Sequence, residues 1–467
     1  MRIVVAGGTV VAATGVARQE VLVEGERIVA LAEPGSELAV RFADGADVRV
    51  DASGKLVVPG GIDVHTHMEM PFGGTRSSDT FETGTRAAAF GGTTTILDFA
   101  VQRRGEPLRK GLDTWLQKAD GACAIDYGLH MIVADVNDQS CKEMDLLVDE
   151  GVTSFKLFMA YPGVFYSTDG EILRAMQQAA GNGATIMMHA ENGIAIDVLV
   201  AQALGRGDTA PRFHGLTRPE RLEAEATHRA IALAAVAGAP VYIVHLSASG
   251  ALEAVAEARH AGQNAFAETC PQYLFLSDED LVREGFEGAK FVCSPPLRAP
   301  SHHAALWRGL RTDELSVVST DHCPFCFKDQ KELGRDDFSK IPNGIPGVEN
   351  RMDLVFQGVA RRELTLERFV EVTATTPARM FGLYPKKGVI APGSDADLVV
   401  YDPRRAQVLS ASTHHMAVDY SAYEGMGVTG AVDTVLSRGK VIVAGGSYRG
   451  AKGDGHYLPR GTNQYLH

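Results

Sequence analysis

The chain has 467 residues, 45 of them basic and 58 acidic, and a formal charge of −13. This length exceeds a single compact core, so one large domain with a smaller accessory domain is expected. An acidic chain without a basic stripe argues against nucleic acid and anionic membrane as partners.

Three further features bear on location. The most apolar window, residues 230–246, is broken by Gly238 and Pro240 and falls short of the ~20 residues that span a bilayer. The first residues run quickly into Gly7 and Gly8, which does not resemble a cleavable signal. Six cysteines in a chain of this size form no disulfide framework. We therefore expect a cytoplasmic protein with reduced thiols.

The first 54 residues predict short strands separated by tight turns, at 3–6, 10–13, 20–24, 27–32 and 48–51. A similar composition returns at 393–402 and 434–443, after a helical stretch at 366–381. We predict that residues 1–54 and 385–445 form one discontinuous β-sandwich. Residues 446–467, rich in glycine and carrying three tyrosines, are interpreted as a C-terminal arm that packs on a neighbouring subunit.

The intervening residues 55–384 alternate apolar, strand-like segments with helical stretches. Eight such segments occur, at 55–67, 94–98, 127–133, 153–158, 184–189, 241–245, 265–268 and 315–321. Eight strand and helix alternations indicate a (β/α)₈ barrel of the TIM type. The predicted fold class is therefore α/β, a barrel combined with a β-sandwich.

Potential metal ligands stand at or just past the ends of five of these eight segments. They are His65, His67, Lys156, His189, His245 and Asp321. Chemistry in this type of barrel lies at the carboxyl ends of the strands, so topology alone brings these side chains together. Nitrogen and oxygen donors suit Zn²⁺, with manganese or cobalt as alternatives. The set predicts a centre for two divalent metal ions.

Lys156 requires its own explanation, because an ammonium group would repel two cations. A buried lysine that loses its proton can react with CO₂ to give a carbamate, which is an anion with two oxygens. Such a group could bridge two ions in a hydrolytic site. We therefore expect Lys156 to be an N6-carboxylysine rather than a lysine that reaches out to solvent.

Ten sequence segments, some of which contain these ligands, form a wider pattern. They lie at 59–67, 70–74, 79–85, 90–94, 154–163, 189–192, 244–247, 293–296, 320–325 and 341–351. Together they resemble the hydantoinase and dihydropyrimidinase branch of the cyclic amidohydrolases, over nearly the whole chain. The resemblance implies that the enzyme opens 5-monosubstituted hydantoins or 5,6-dihydropyrimidines, which are cyclic ureides, to N-carbamoyl amino acids. It also implies a homotetramer.

The resemblance further implies individual roles. One ion would be held by His65, His67 and Asp321, and the second by His189 and His245, with carboxylated Lys156 bridging both. Tyr161 would polarise the carbonyl that is attacked, while Ser294 and Asn343 would hold the ring amide. Asp321 would also move the proton from the water to the leaving nitrogen.

Two other interpretations remain open. An allantoinase or a dihydroorotase would use much the same ligands, although dihydroorotate calls for an arginine near the mouth of the barrel. A non-catalytic scaffold of the collapsin-response type would have lost metal ligands, whereas all six are present. Met68, Phe72, Phe158 and Phe165 are expected to form an apolar rim suited to bulky ring substituents.

Overall fold

The computed structural model describes residues 1–466. The amino-terminal segment forms short strands, the last of which directly precedes the central domain. They are β1 (Arg2–Ala6), β2 (Thr9–Ala12), β3 (Gly15–Arg18), β4 (Glu20–Glu24), β5 (Arg27–Ala32), β6 (Val48–Asp51) and β7 (Leu56–Pro59). Strand β3 and the helix α1 (Glu37–Asp44), which is capped by Ser36, were not expected from the sequence.

Eight parallel strands form the central sheet. They are β8 (Gly61–Thr66), β11 (Thr93–Val101), β12 (Asp126–Ile132), β13 (Ser154–Phe158), β14 (Thr185–His189), β15 (Val241–Ile243), β16 (Ala265–Thr269) and β17 (Val317–Val318), in sequential order around the sheet. A small hairpin, β9 (Pro71–Phe72) with β10 (Thr75–Arg76), follows β8. Beyond β17, Thr66 pairs in parallel with His322 and brings the two edges together. The predicted TIM-type barrel is confirmed.

Helices alternate with these strands on the outside of the barrel. They are α2 (Phe81–Phe90), α3 (Leu108–Ala119), α4 (Asp138–Asp149), α5 (Asp169–Asn182), α6 (Gly193–Gly205), α7 (Arg212–Leu216), α8 (Glu220–Ala237), α9 (Ser249–His260), α10 (Pro271–Phe275), α11 (His303–Thr312), α12 (Arg351–Ala360), α13 (Leu366–Val370) and α14 (Thr376–Met380). No helix within residues 1–466 is long and apolar enough to cross a membrane.

Successive side chains of each barrel strand point alternately toward the surrounding helices and toward the inside of the barrel. In β14, Ile186 and Met188 pack in the cluster that includes the surrounding helices, whereas Met187 packs in the smaller cluster inside the barrel. His189 has the same parity as Met187, so it faces the barrel axis. The same rule sends Lys156 of β13 inward while Phe155 and Leu157 pack outward.

Both chain ends contribute to the accessory sandwich. The carboxyl-terminal strands are β18 (Leu398–Val408), β19 (Gly427–Ser437), β20 (Lys440–Ala444) and β21 (Ser447–Tyr448). One sheet has the order β5-β4-β1-β6 and the other the order β21-β20-β19-β18-β7-β2-β3. Ile3, Val21, Val57 and Leu398 belong to the buried cluster that these sheets share.

Strand β7 differs from its sequence interpretation. Residues 55–67 were expected to form one barrel strand, but Leu56–Pro59 pairs antiparallel with Leu398–Tyr401 in the sandwich, and the barrel strand begins at Gly61. The segment is thus two strands of two different sheets. The domain limits set out above stay a prediction.

The residues after β21 cover the amino-terminal end of the same chain's barrel. Tyr457 pairs in parallel with Tyr127, and the Arg460 guanidinium donates to the carbonyl of Leu129 at 2.6 Å and to the Ser154 hydroxyl at 2.9 Å. This end of the barrel is therefore closed by the chain's own last residues.

Candidate metal centre and substrate cleft

Three predicted ligands from the first and last barrel strands meet at one point. The Nε2 atoms of His65 and His67 are 3.2 Å apart. Asp321 Oδ1 lies 3.2 Å from Nε2 of His65 and 3.3 Å from Nε2 of His67. The three side chains are buried and could together hold a metal ion. We call them the first ligand group.

A second pair of histidines stands beside the first ligand group. His189 Nδ1 lies 3.0 Å from His245 Nε2. The ring centroids of His245 and His65 are 5.4 Å apart, which places the pair next to the first group. His189 ends β14 and His245 follows β15, so the two come from neighbouring strands as predicted.

Lys156 lies at the centre of these ligands. Its Nζ is 2.9 Å from His65 Nε2 and 4.4 Å from the centroid of the Phe99 ring, and the side chain is 1% exposed. Burial lowers the pKa of Lys156 to about 8, although the charges of Asp321 and Glu268 act to raise it. A neutral amine is therefore accessible close to physiological pH.

The protonation states of the other ligands favour cation binding. Burial lowers the pKa of His65, His67 and His245, so their imidazoles are neutral near pH 7. Burial acts to raise the pKa of Asp321, but the neighbouring histidines and Lys156 outweigh it and lower that pKa to about 2. Neutral imidazoles facing a carboxylate at hydrogen-bond distance are the donor set of zinc-type sites, so the residues fit the predicted metals.

Backbone geometry at three site residues is unusual. Tyr161, His245 and Asp321 have φ angles of 60°, 40° and 51°. Non-glycine residues in the left-handed region cost about 1–3 kcal/mol each and persist where the surrounding structure enforces them. His245 and Asp321 lie two and three residues past the ends of short barrel strands, where the chain leaves the sheet.

Two buried glutamates orient the histidines and were absent from the predicted set. Glu268 accepts a short hydrogen bond from Nδ1 of His65, and also bonds from the Tyr242 hydroxyl at 2.9 Å and the His245 amide at 3.2 Å. Glu191 accepts from Nε2 of His189 at 2.8 Å. Such partners fix the tautomer of a metal-binding histidine. The strand-end rule could have indicated Glu268, which lies near the end of β16.

The predicted substrate-binding residues meet beside the ligands. The Tyr161 side chain lies beside those of Ser294 and Asn343, and Asn343 Nδ2 donates to Ser294 Oγ at 3.1 Å. All three line a cleft that is also lined by residues of both ligand groups. Burial raises the pKa of Tyr161 to about 12, so its hydroxyl keeps its proton near neutrality.

The apolar rim of this cleft corrects one expectation. Phe72, Phe158 and Phe165 line it as expected, but Met70 stands where Met68 was predicted. Met68 is fully buried, and its sulfur lies against Gly84, where an added Cβ would come within 2.3 Å. Met70 directly precedes the β9–β10 hairpin, which the sequence pattern did not indicate.

A barrel with two adjacent groups of metal ligands at the carboxyl ends of its strands defines a metal-dependent hydrolase. The chain belongs to the amidohydrolase family, whose profile matches residues 56–442, and within it to the hydantoinase and dihydropyrimidinase group. It is a cyclic amidohydrolase.

The relatives agree in length as well as in sequence. The chain is 66% identical to a D-hydantoinase of Streptomyces coelicolor over 465 residues, which cover 100% of this chain and 99% of the relative. It is 49% identical to a D-hydantoinase of Geobacillus stearothermophilus, over 97% of this chain and 95% of that one. The crystal structure of a dihydropyrimidinase from Brevibacillus agri superimposes with a TM-score of 0.96 at 47% identity, covering 99% of each chain.

Proposed function

We propose that the protein hydrolyses the cyclic amide of 5-monosubstituted hydantoins or 5,6-dihydropyrimidines to N-carbamoyl amino acids. The observation that carries this function is the meeting of both ligand groups with Tyr161, Ser294 and Asn343 in one cleft. The relatives named above are D-hydantoinases and a dihydropyrimidinase, which matches the proposed substrate class.

The centre is proposed to hold two divalent ions, with zinc first and manganese or cobalt as alternatives. His65, His67 and Asp321 would hold one ion, and His189 and His245 the other. Lys156 would bridge them as a carbamate formed with CO₂. The lowered pKa and the burial of Lys156 support this modification, because the neutral amine is the form that reacts with CO₂.

When bound, two divalent ions supply Lewis-acid polarisation of a carbonyl and a water acidified toward neutral pH. Asp321, ionised at neutral pH, would accept the proton of the attacking water and return it to the leaving ring nitrogen. The Tyr161 hydroxyl would donate to the oxygen on which negative charge develops. Ser294 and Asn343 would fix the ring amide in the orientation that this transfer requires.

The lining of the cleft favours apolar ring substituents. Met70, Phe72, Phe158 and Phe165 surround it. None of the lining residues within 1–466 is an arginine that would match the carboxylate of dihydroorotate. The ureido group of allantoin would likewise meet an apolar rim, and a non-catalytic scaffold would not need the complete ligand set. Hydantoins with alkyl or aryl groups at position 5 fit best.

A homotetramer is also proposed. The support is an apolar face on α6, a helix with one charged residue, Asp197, between Gly193 and Gly205. Ile194 and Val198 on that helix are 53% and 54% exposed, and Leu216 on the nearby α7 is 67% exposed. Exposed apolar side chains on neighbouring helices are typical of contacts between subunits.

The function is tested by ring opening of 5-phenylhydantoin, dihydrouracil, allantoin and dihydroorotate by the metal-loaded protein, with and without a chelator. We expect opening of the first two substrates, and we expect the chelator to abolish it. The ratio of the two rates gives the substrate preference. Opening of allantoin or dihydroorotate alone would contradict the proposal.

A further inference from the structure

A buried lysine outside the metal centre makes an unusual set of contacts. Lys331 begins a short 3₁₀ helix, Lys331–Gly334, and is fully buried. Its ammonium group donates to three backbone carbonyls, those of Val292 at 2.9 Å, Pro342 at 2.7 Å and Gly344 at 2.9 Å. Burial lowers the pKa of Lys331 to about 7, but the three carbonyls supply an acceptor for each N–H of an ammonium, which favours the protonated form.

The three carbonyls belong to the two segments that carry the amide-binding residues. Val292 stands two positions before Ser294, while Pro342 and Gly344 flank Asn343 on either side. The Gly344 amide also donates to the Val292 carbonyl at 2.9 Å. Lys331 therefore joins these segments at the point from which Ser294 and Asn343 project into the cleft.

Gly344 shows how closely these segments are packed. A Cβ at this position would lie 2.0 Å from the carbonyl oxygen of Cys323, two residues after Asp321. The segment therefore has no room to move toward the metal ligands. Removal of the ammonium would leave three buried carbonyls short of a charged donor, and hydrogen bonds to charged groups are the stronger ones. Relaxation would then displace Asn343 relative to Ser294.

We propose that Lys331 is a positioning residue for ring opening, which sets the spacing between Ser294 and Asn343 and thereby the orientation of the ring amide beside Tyr161. This inference rests on the proposed function, because it assigns to Lys331 the placement of groups that hold the substrate. Lys331 itself lies outside the cleft and does not touch the substrate.

The test compares Lys331→Met with Arg460→Met. Arg460 is a matched control, because it is also a buried cation with neutral acceptors, but it lies at the opposite end of the barrel. For Lys331→Met we expect the KM for 5-phenylhydantoin to rise about 10- to 100-fold, as for small misplacements of binding groups, with bound metal per chain unchanged. For Arg460→Met we expect the KM to stay within about twofold of the wild type.

A merely structural role would predict a different pattern. An unchanged KM in a folded Lys331→Met variant, or an equal rise in both variants, would overturn the inference. If Lys331→Met does not fold, Lys331→Arg keeps the charge, but its planar fork cannot donate to three carbonyls around one point. A severalfold rise in KM is expected for that variant, and a wild-type KM would contradict the assignment.

One readout is independent of turnover. Hydrogen exchange of the Gly344 amide, which is bonded to the Val292 carbonyl, should become faster in Lys331→Met and remain unchanged in Arg460→Met. Unchanged exchange in both would contradict the proposed joining of the two segments. If the wild-type protein opens no ring while this exchange pattern holds, the proposed function fails and the placement of the segments by Lys331 stands.

Discussion

Two buried lysines of this chain lie among acidic or metal-binding side chains, and they behave in opposite ways. Lys156 at the barrel mouth lies against His65, and burial lowers its pKa to about 8. Lys387 lies where the barrel meets the sandwich, 2.6 Å from Asp126, 3.0 Å from Asp395 and 2.6 Å from Asp397. Burial acts to lower the pKa of Lys387 too, but the three carboxylates outweigh it and raise that pKa.

The difference shows how the same residue type serves two purposes. The three aspartates around Lys387 have the spacing of a metal site, as have His65, His67 and Asp321. In the aspartate cluster, however, the lysine is itself the cation that balances the carboxylates. At the barrel mouth the neighbours are mostly neutral imidazoles, so Lys156 can lose its proton and leave the cationic role to metal ions. Proximity of acidic groups alone does not identify a metal centre.

The largest effect on turnover is expected for Lys156→Ala. Loss of the bridging group should lower kcat/KM by more than about 100-fold, the upper range for residues that only support metal ligands. At least one ion should be lost, while the circular dichroism spectrum keeps its wild-type form. Near-normal turnover in this variant would rule out the bridging role.

A smaller effect is expected for Glu268→Gln. The glutamine side chain lacks the carboxylate charge that holds His65 with its Nε2 facing His67 and Asp321. Loss of such a partner of a metal-binding histidine lowers metal affinity or activity by about 10- to 100-fold. Titration of metal into the protein, after a chelator has removed the bound metal, measures the affinity. An unchanged affinity would show that the barrel walls alone orient His65.

Lys387→Met should leave turnover per folded chain and metal content unchanged but reduce stability. Breaking a buried ion pair by removing one partner costs about 3–5 kcal/mol, and here three carboxylates lose the cation that they share, although Arg438 still pairs with Asp126 and Arg27 with Asp395. Denaturant unfolding of Lys387→Met and Lys156→Ala side by side tests the comparison directly. An ion gained by Lys387→Met would mean that the aspartate cluster binds a metal once its lysine is removed.

The smallest effect on chemistry is expected at the apolar face of α6. Val198→Glu should shift the proposed tetramer toward smaller species in light scattering, because a charge would be buried in the proposed contact. Val236→Glu on α8 is the matched control, since Val236 is 75% exposed and lies outside the proposed contact. Equal behaviour of the two variants would place the subunit contact elsewhere.

The sequence predicted the barrel and the meeting of the candidate ligands because both follow local rules. Strand periodicity indicates each segment, and the topology of a parallel barrel brings strand ends such as His189 and His245 together. What remained hidden depends on distant pairings. Leu56–Pro59 joins the sandwich through strand β18, more than 300 residues later in the chain. The role of Lys331 has no local sequence signal either. Its three acceptors lie on two segments, around Val292 and around Asn343, and only the fold brings these segments into contact with Lys331.

The most direct test of the account is the number of metal ions per chain, measured together with turnover of 5-phenylhydantoin in the same preparation. The account predicts two ions per chain, loss of turnover when a chelator removes them and recovery when two are restored. Full turnover without bound ions would contradict it. A third ion in the wild-type protein that is retained in Lys156→Ala would contradict the distinction between the two lysine clusters.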